Sequence, residues 1–480
     1  MRCAVVVPPI EDFYYTPHRG SFLGAHIVAR ILKSLGYLVD LYIFPNTKKP
    51  RIIQIPDELR YLKDFIIDGE VGPFSYFTTY KRFGPDYKKA AELILLNSPD
   101  LVFISCFAFC YTKSTIRVAE EITKKDKNIK IIVGGAGVSV FPEYFENTGL
   151  FYSVLTKEAE IAIPEFFGRD VRFDLIPSVV NTKNTKRVSY FSTYLTRGCP
   201  KNCGFCSVAL VHGRKLREVD SNLLMDILPD EDNSKIFLFN FEDDNVLLKK
   251  ESFFEVLQKI KSRYSKVLFS CENGIDYREL DIDTLQTMIN LGFRQFNLSI
   301  VNVNKRILLE QKRTFLRDKF IELVDYLKEQ DIETIVYFIA GFRGESWKDS
   351  IKNLIFLAQL GERVRVGLSV FYPVPGILGF EEKGFFLDKS PYLLCSSSAY
   401  PWNNSLTTQD FITLFRLARV INFLKRPIIE NESYYVVKKI IREKRLYTFV
   451  KNIPYPVEVK NYNRDMVKEL FDNLKITLKK

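Results

Sequence analysis

The sequence predicts an α/β protein: an open parallel sheet, then a partial barrel of strands and helices, then a mainly helical region. Three observations carry that expectation. Short apolar runs alternate with helical patterns over 1–167, and such alternation builds parallel sheets. The alternation lapses over 168–190, a polar stretch with Pro, Asn and Lys that reads as a linker, and resumes over 191–380. Over 381–480 it gives way to helical and irregular sequence with an excess of basic residues.

The elements follow in order. Val5, Val6 and Val7 make a buried β-branched run at 4–7. A helix with an apolar face is expected at 22–35, then a strand at 38–43. An insertion rich in aromatics and prolines follows, including Phe74, Tyr76, Phe77 and Tyr80. Helices at 87–96, 115–124 and 158–167 alternate with strands at 101–105, 129–133 and 151–155. In the second series, strands are expected at 192–195, 236–239, 267–271, 295–300, 334–339 and 365–371. Helices at 253–263, 283–290, 317–329 and 348–360 separate them. In the last region 410–424 and 434–444 read as helices, the rest as irregular. In both architectures ligands bind at the carboxyl ends of the strands.

With 480 residues the chain has room for two or three domains. No apolar run reaches the ~18–20 residues that span a bilayer. The start is too short for a signal peptide, and a cytoplasmic location is expected. The net charge of +11 is uneven: residues 411–480 hold 16 Lys and Arg against 7 Asp and Glu. That excess suits an acidic substrate, an acidic redox partner, a membrane surface or a solvated helical face. No RNA-binding aromatic signature or finger spacing points to nucleic acid, and no DNA partner is expected.

The most informative segment follows the first strand of the second series. Cys199, Cys203 and Cys206 have the spacing C-x3-C-x2-C. Three thiolates on a short loop can hold three irons of a cubane iron–sulfur cluster, leaving the fourth iron open to a ligand. Zinc would need four closed ligands, and His212 stands alone nearby. Buried, metal-free thiols are the other alternative. Cys106 and Cys110 share a C-x3-C spacing without a third ligand and read as buried thiols.

With Phe205 before its last cysteine, the loop resembles the signature of the radical S-adenosylmethionine (radical SAM) enzymes. The resemblance implies a radical SAM barrel at 191–380 with a [4Fe-4S] cluster on the three cysteines. S-adenosylmethionine would bind the open iron and be cleaved to a 5′-deoxyadenosyl radical. Later strand ends extend the likeness. Glu242, Asp243 and Asp244 stand where relatives hold the cofactor's ammonium group. Ser299 matches a position near the ribose, although Asn302 and Asn304 replace the usual acidic residue after it. Gly341, Gly344 and Glu345 match a glycine turn against the adenine, with Arg343 in place of proline.

The amino-terminal region resembles the Rossmann-like, cobalamin-binding domain of one radical SAM subfamily. Ser105, Gly134, Gly135, Gly137 and Glu158 fall on the loops that would meet cobalamin. The Asp-x-His-x-x-Gly motif that gives a histidine to cobalt elsewhere is absent; His18 and His26 are not flanked in that way. The resemblance implies methylation of an unactivated carbon, with methylcobalamin as the methyl donor and a flavodoxin- or ferredoxin-type electron donor. The substrate would be organic or peptidic, and the basic last region favours an anionic one. A radical SAM cyclase or carbon–carbon bond-forming enzyme is the alternative, and an iron–sulfur sensor a distant one. No catalytic residue stands out.

Overall fold

The computed structural model describes residues 1–15, 20–47, 49–66, 70–71, 79–169, 177–425, 447–450, 453–458 and 462–477. His18, Phe74, Tyr76, Phe77 and the helix expected at 434–444 lie outside them. The chain divides into two compact units, Met1–Gln54 with Tyr80–Asn273 and Pro373–Leu394, and Ile55–Thr79 with Gly274–Tyr372 and Cys395–Lys480.

The first unit opens on five parallel strands: β1 (Arg2–Val7), β2 (Leu38–Ile43), β3 (Leu101–Ser105), β4 (Lys130–Gly134) and β5 (Ser153–Val154). Their spatial order is β2-β1-β3-β4-β5. The order reverses between β1 and β3, and a doubly wound sheet opens its crevice at such a point. Helices α1 (Leu23–Ser34) and α4 (Ala159–Phe167) cover one face. Helices α2 (Tyr87–Leu95) and α3 (Thr112–Lys125) cover the other. Leu23, Ile27, Ile31 and Leu32 of α1 are all buried, each stabilising the layer by about 1.5–3 kcal/mol. The expected strands recur within a few residues. The fifth shortens to Ser153–Val154, and α3 starts three residues early at Thr112, whose hydroxyl donates to the Phe109 carbonyl at 2.6 Å.

The stretch read as a linker contains structure. Strand β6 (Val179–Asn184) pairs antiparallel with β7 (Val188–Thr193). Strand β7 then pairs in parallel with β8 (Ile236–Phe241), and β8 with β9 (Val267–Ser270). The rings of Phe191 and Phe239 stack at 5.0 Å across the first of these pairs. Helix α5 (Lys250–Arg263) joins β8 to β9.

The second unit carries three parallel strands, β10 (Gln295–Val301), β11 (Glu333–Ala340) and β12 (Val364–Val370). Helix α6 (Ile282–Leu291) precedes them; α7 (Arg317–Glu329) and α8 (Trp347–Gln359) are the crossovers. Helix α9 (Thr408–Leu424) follows.

Three elements depart from the irregular structure expected near the end. Tyr447–Val450 pairs antiparallel with Ile453–Glu458 and with Glu70–Val71. Arg464–Thr477 forms helix α10, whose first turn is capped by Asn463 accepting from Met466 N at 3.0 Å. Met466, Val467 and Leu470 are buried along it. Among the described residues no helix is long and apolar enough to cross a membrane.

Candidate active site

The cysteine loop leaves the carboxyl end of β7. Thr196–Arg197 pairs antiparallel with Arg217–Glu218, so the loop starts and ends on one two-stranded clamp. Cys199 N donates to the Gly213 carbonyl at 3.2 Å, and Cys206 N to the Cys203 carbonyl at 3.2 Å. Gly198 is required where it stands. Its φ is +88°, and a Cβ there would meet the Lys215 carbonyl oxygen at 2.3 Å.

All three loop cysteines are partly exposed, and none is in a disulfide. Burial pushes the Cys199 thiol up and the Cys206 thiol up to about 11, with the neighbouring thiols adding to both. These two groups therefore keep their protons at neutral pH until a metal displaces them. Among the described residues no three His, Cys, Asp or Glu side chains gather closely enough to hold a single ion. A cubane does not require that, because each cysteine holds a different iron.

The acidic run after β8 does work that its spacing does not reveal. Asp243 is buried and faces the chain. Its Oδ1 accepts from Leu195 N at 3.1 Å, Thr196 N at 2.6 Å and Thr196 Oγ1 at 2.7 Å; its Oδ2 takes a second bond from Leu195 N at 3.2 Å. Burial pushes its carboxyl up to about 6 against those bonds. Asp244 Oδ2 accepts from Gly198 N at 2.8 Å, and Glu242 Oε2 from Ser21 Oγ at 2.9 Å. The expectation that this run meets an ammonium group is thus corrected for Asp243, whose oxygens are taken by the start of the cysteine loop.

The sequence reading passed over two buried polar atoms at the same strand ends. Thr193 Oγ1 and Asn245 Oδ1 have no hydrogen-bond partner among the described residues. Burying such groups unpaired costs about 1–3 kcal/mol each, so they mark places where a bound polar group would be welcome. No local signal separates them from other polar residues.

A cavity of about 230 Å³ lies at the carboxyl edge of the first sheet. Ser105, Gly134, Gly135 and Glu158 line it, as do Tyr194, Arg197 and His212 from the second strand series. Gly137 does not. A Cβ there would meet Cys106 Sγ at 2.8 Å and Phe109 N at 2.8 Å, so this glycine lets the loops after β3 and β4 pack together. Cys106 and Cys110 are buried thiols, as expected. His26, on α1, is held down to about 4 by burial and the nearby Arg30.

The cavity rim is charged. Glu158 Oε1 contacts His212 Nδ1 at 2.8 Å, and Oε2 accepts from Arg217. Burial alone would raise the Glu158 carboxyl, but these two partners hold it below the usual range. Arg197 lies over the Tyr194 ring at 3.6 Å and donates to the Glu242 carbonyl at 3.2 Å. Tyr194 in turn donates to the buried Glu160 at 2.8 Å.

In the second unit, the turn after β11 has Gly341 at φ +101° and Gly344 at φ +70°. A Cβ on Gly341 would lie 2.8 Å from the Phe411 ring. Glu345, expected against a cofactor, is fully buried and holds the turn from inside. It accepts from Gly341 N at 2.9 Å, Phe342 N at 3.0 Å, Ser350 Oγ at 2.7 Å and Asn302 Nδ2 at 3.2 Å. Its carboxylate is thus engaged within the turn itself. Ser299 is half-buried on β10, just before a register shift at Val301, which has φ +68°. That φ is a genuine outlier for a β-branched residue. Asn304 caps the next turn by accepting from Arg306 N at 3.0 Å.

Burial pushes the Glu345 carboxyl up to about 7 in spite of its four donors. The folded state therefore holds a proton that the unfolded chain releases near pH 4.5. The stability this supplies is present below pH 4.5 and lost as pH rises through about 7, by about 3 kcal/mol. Glu345→Gln is expected to flatten that fall. Melting temperatures of both proteins between pH 5 and 8 check it, and parallel curves would refute it.

Residues 193–357 match the family model described as the radical SAM superfamily. These residues are a radical SAM domain. The chain is 26% identical over 212 residues to a bacteriochlorophyllide d C-12(1)-methyltransferase of Chlorobaculum tepidum, covering 42% of this chain and 45% of that protein. It is 24% identical over 273 residues to a tRNA-2-methylthio-N(6)-dimethylallyladenosine synthase of a Sulfurihydrogenibium species, covering 54% and 59%. The chain thus spans about half the length of the curated relatives it matches. Among solved structures it resembles TsrM, a radical S-adenosylmethionine methyltransferase from Kitasatospora setae with cobalamin and a [4Fe-4S] cluster bound. The TM-score is 0.53 at 16% identity, over 79% of this chain and 77% of that one, which establishes a shared fold.

Proposed function

We propose that this protein is a cobalamin-dependent radical SAM methyltransferase acting at an unactivated carbon. One observation carries the reading. Arg197, two residues before Cys199, lines the cavity at the carboxyl edge of the first sheet. A single unit therefore presents the cysteine loop and a doubly wound crevice side by side. The solved relative holds cobalamin and a [4Fe-4S] cluster on the same fold.

The residues present fit these groups. Cys199, Cys203 and Cys206 would hold the cluster, with Phe205 beside it. The unpartnered Asn245 Oδ1, the Glu242 carboxylate and Asp244 are the acceptors for the ammonium of S-adenosylmethionine. The 230 Å³ cavity is too small for a corrin but suits the aromatic base of its nucleotide tail, with Ser105, Gly134 and Gly135 at its edge. When bound, the cluster and S-adenosylmethionine supply hydrogen-abstracting one-electron chemistry, and cobalamin supplies a methyl carrier.

The chain's own contribution is orientation. Asp243 and Asp244 fix the backbone of the cysteine loop. Glu345 fixes the glycine turn from behind. The apolar walls of the cavity exclude water. An electron donor of flavodoxin or ferredoxin type and an organic or peptidic substrate complete the reading.

The test is anaerobic reconstitution with iron, sulfide and hydroxocobalamin, then metal and corrin analysis. About four irons and about one corrin per chain are expected. Reduced protein given S-adenosylmethionine should release 5′-deoxyadenosine, and product masses should rise by about 14. Iron without corrin would sink the cobalamin reading, and a mass change of about −2 would replace methylation by cyclisation.

A further inference from the structure

We propose that the outer face of the cysteine loop is the docking surface for a small acidic electron carrier of flavodoxin type. This rests on the radical SAM reading of the loop and goes beyond it, because it fixes where the electron enters.

The loop lies between a basic flank and an apolar one, all within the first unit. On one side Cys199 N donates to the Gly213 carbonyl at 3.2 Å, which sets Arg214 and Lys215 beside the loop. Arg214 Nη2 reaches back to Asn202 Oδ1 at 2.6 Å. On the other side Leu378 N donates to the Gly204 carbonyl at 3.3 Å. Leu210, four residues after Cys206, packs against the same segment: a Cβ on Gly376 would meet its Cδ1 at 3.3 Å.

Both flanks face solvent. Arg214 and Lys215 are exposed, and Leu210 and Leu378 are 38% and 44% exposed. From Cys199 to Leu216 the chain carries Lys201, Arg214 and Lys215 and no Asp or Glu. Glu218, the first carboxylate beyond, meets Lys249 Nζ at 2.7 Å. Glu381 and Glu382 follow Leu378, and the first accepts from Gly379 N at 2.9 Å. The positive charge therefore lies on the Arg214 side and the apolar surface on the Leu378 side.

Electron transfer weakens steeply with distance, so a protein donor must sit on the surface that covers the cysteines. Exposed basic groups there steer an acidic partner into place. The apolar edge of a flavin then has Leu210 and Leu378 to rest on. The reduced flavin gives up one electron and the cluster takes it. No bond breaks, and no proton has to cross.

The experiment uses the full chain with its cluster reconstituted anaerobically, mixed with reduced flavodoxin. Flavin absorbance follows electron transfer in a stopped flow, and calorimetry gives the affinity of oxidised flavodoxin. In Lys215→Glu the association rate should fall about threefold or more at low salt, and the difference should shrink at high salt. Leu378→Ser should weaken the complex with little change in association rate. Both variants should keep wild-type iron and form 5′-deoxyadenosine normally with titanium(III) citrate as reductant. Lys33→Glu, the same charge change at the end of α1, should leave association unchanged. Equal slowing by Lys33→Glu overturns the proposal, since net charge then does the steering. Unchanged association in Lys215→Glu also overturns it and leaves the radical SAM reading standing. So does a wild-type chain that titanium(III) citrate activates and flavodoxin does not reduce. No 5′-deoxyadenosine with titanium(III) citrate overturns the proposal and the radical SAM reading together.

Discussion

Replacing any one of Cys199, Cys203 or Cys206 by Ala is expected to reduce 5′-deoxyadenosine formation to background. Two thiolates do not hold a cubane whose fourth iron must stay open, so the variants should also lose most of the iron that the wild-type chain binds. The thiols sit on a loop tied to its own backbone at Cys199 N and Cys206 N, and no other cysteine shares that loop to replace a lost one. The change in folding stability should be small, since the side chains are partly exposed. Cys395→Ser, in the other compact unit, serves as the control and should keep its iron. Iron analysis and product chromatography on the four variants check this. A Cys203→Ala protein with full iron content and undiminished 5′-deoxyadenosine would sink the assignment of the loop.

Asp243→Ala is expected to have the largest effect among residues that touch no cysteine. The carboxylate is buried and accepts from two backbone N–H groups and one hydroxyl at the entrance to the loop. Removing it leaves Leu195 N and Thr196 N buried without partners. Unsatisfied donors of that kind cost about 1–3 kcal/mol each, giving a loss of about 2–4 kcal/mol once some relaxation is allowed. The clamp of Thr196–Arg197 on Arg217–Glu218 should loosen with it, and iron retention should fall. Asp243→Asn keeps one acceptor oxygen and should lie between the two. Melting temperature and iron content measured on both variants decide the matter. A variant that melts lower but binds iron normally would make Asp243 a stabilising residue with no part in positioning the loop.

The difference between what was legible and what was not follows the range of the interactions. Strands 38–43 and 101–105 and helix 317–329 were readable to the residue, because apolar periodicity is local. Strand β6 was not, because four of its six residues, Asn181 to Asn184, are polar, and β7 was met only at its end, because its parallel partner β8 arrives some fifty residues later. Helix α10 carried a readable signal, Asn463 ahead of Met466, Val467 and Leu470, that the basic composition of the region masked.

The site divides in the same way. The cysteine spacing is a local motif, since one short loop must supply every thiolate, and the sequence by itself determined that chemistry. Tertiary structure alone decided the roles of the acidic residues. Asp243 meets Leu195 N across 48 positions, Glu345 meets Asn302 across 43, and Glu158 meets His212 across 54. A carboxylate reads the same in sequence whether it faces a ligand or a backbone amide. Burial and the direction of the hydrogen bonds separate the two, and both exist only once the chain has folded.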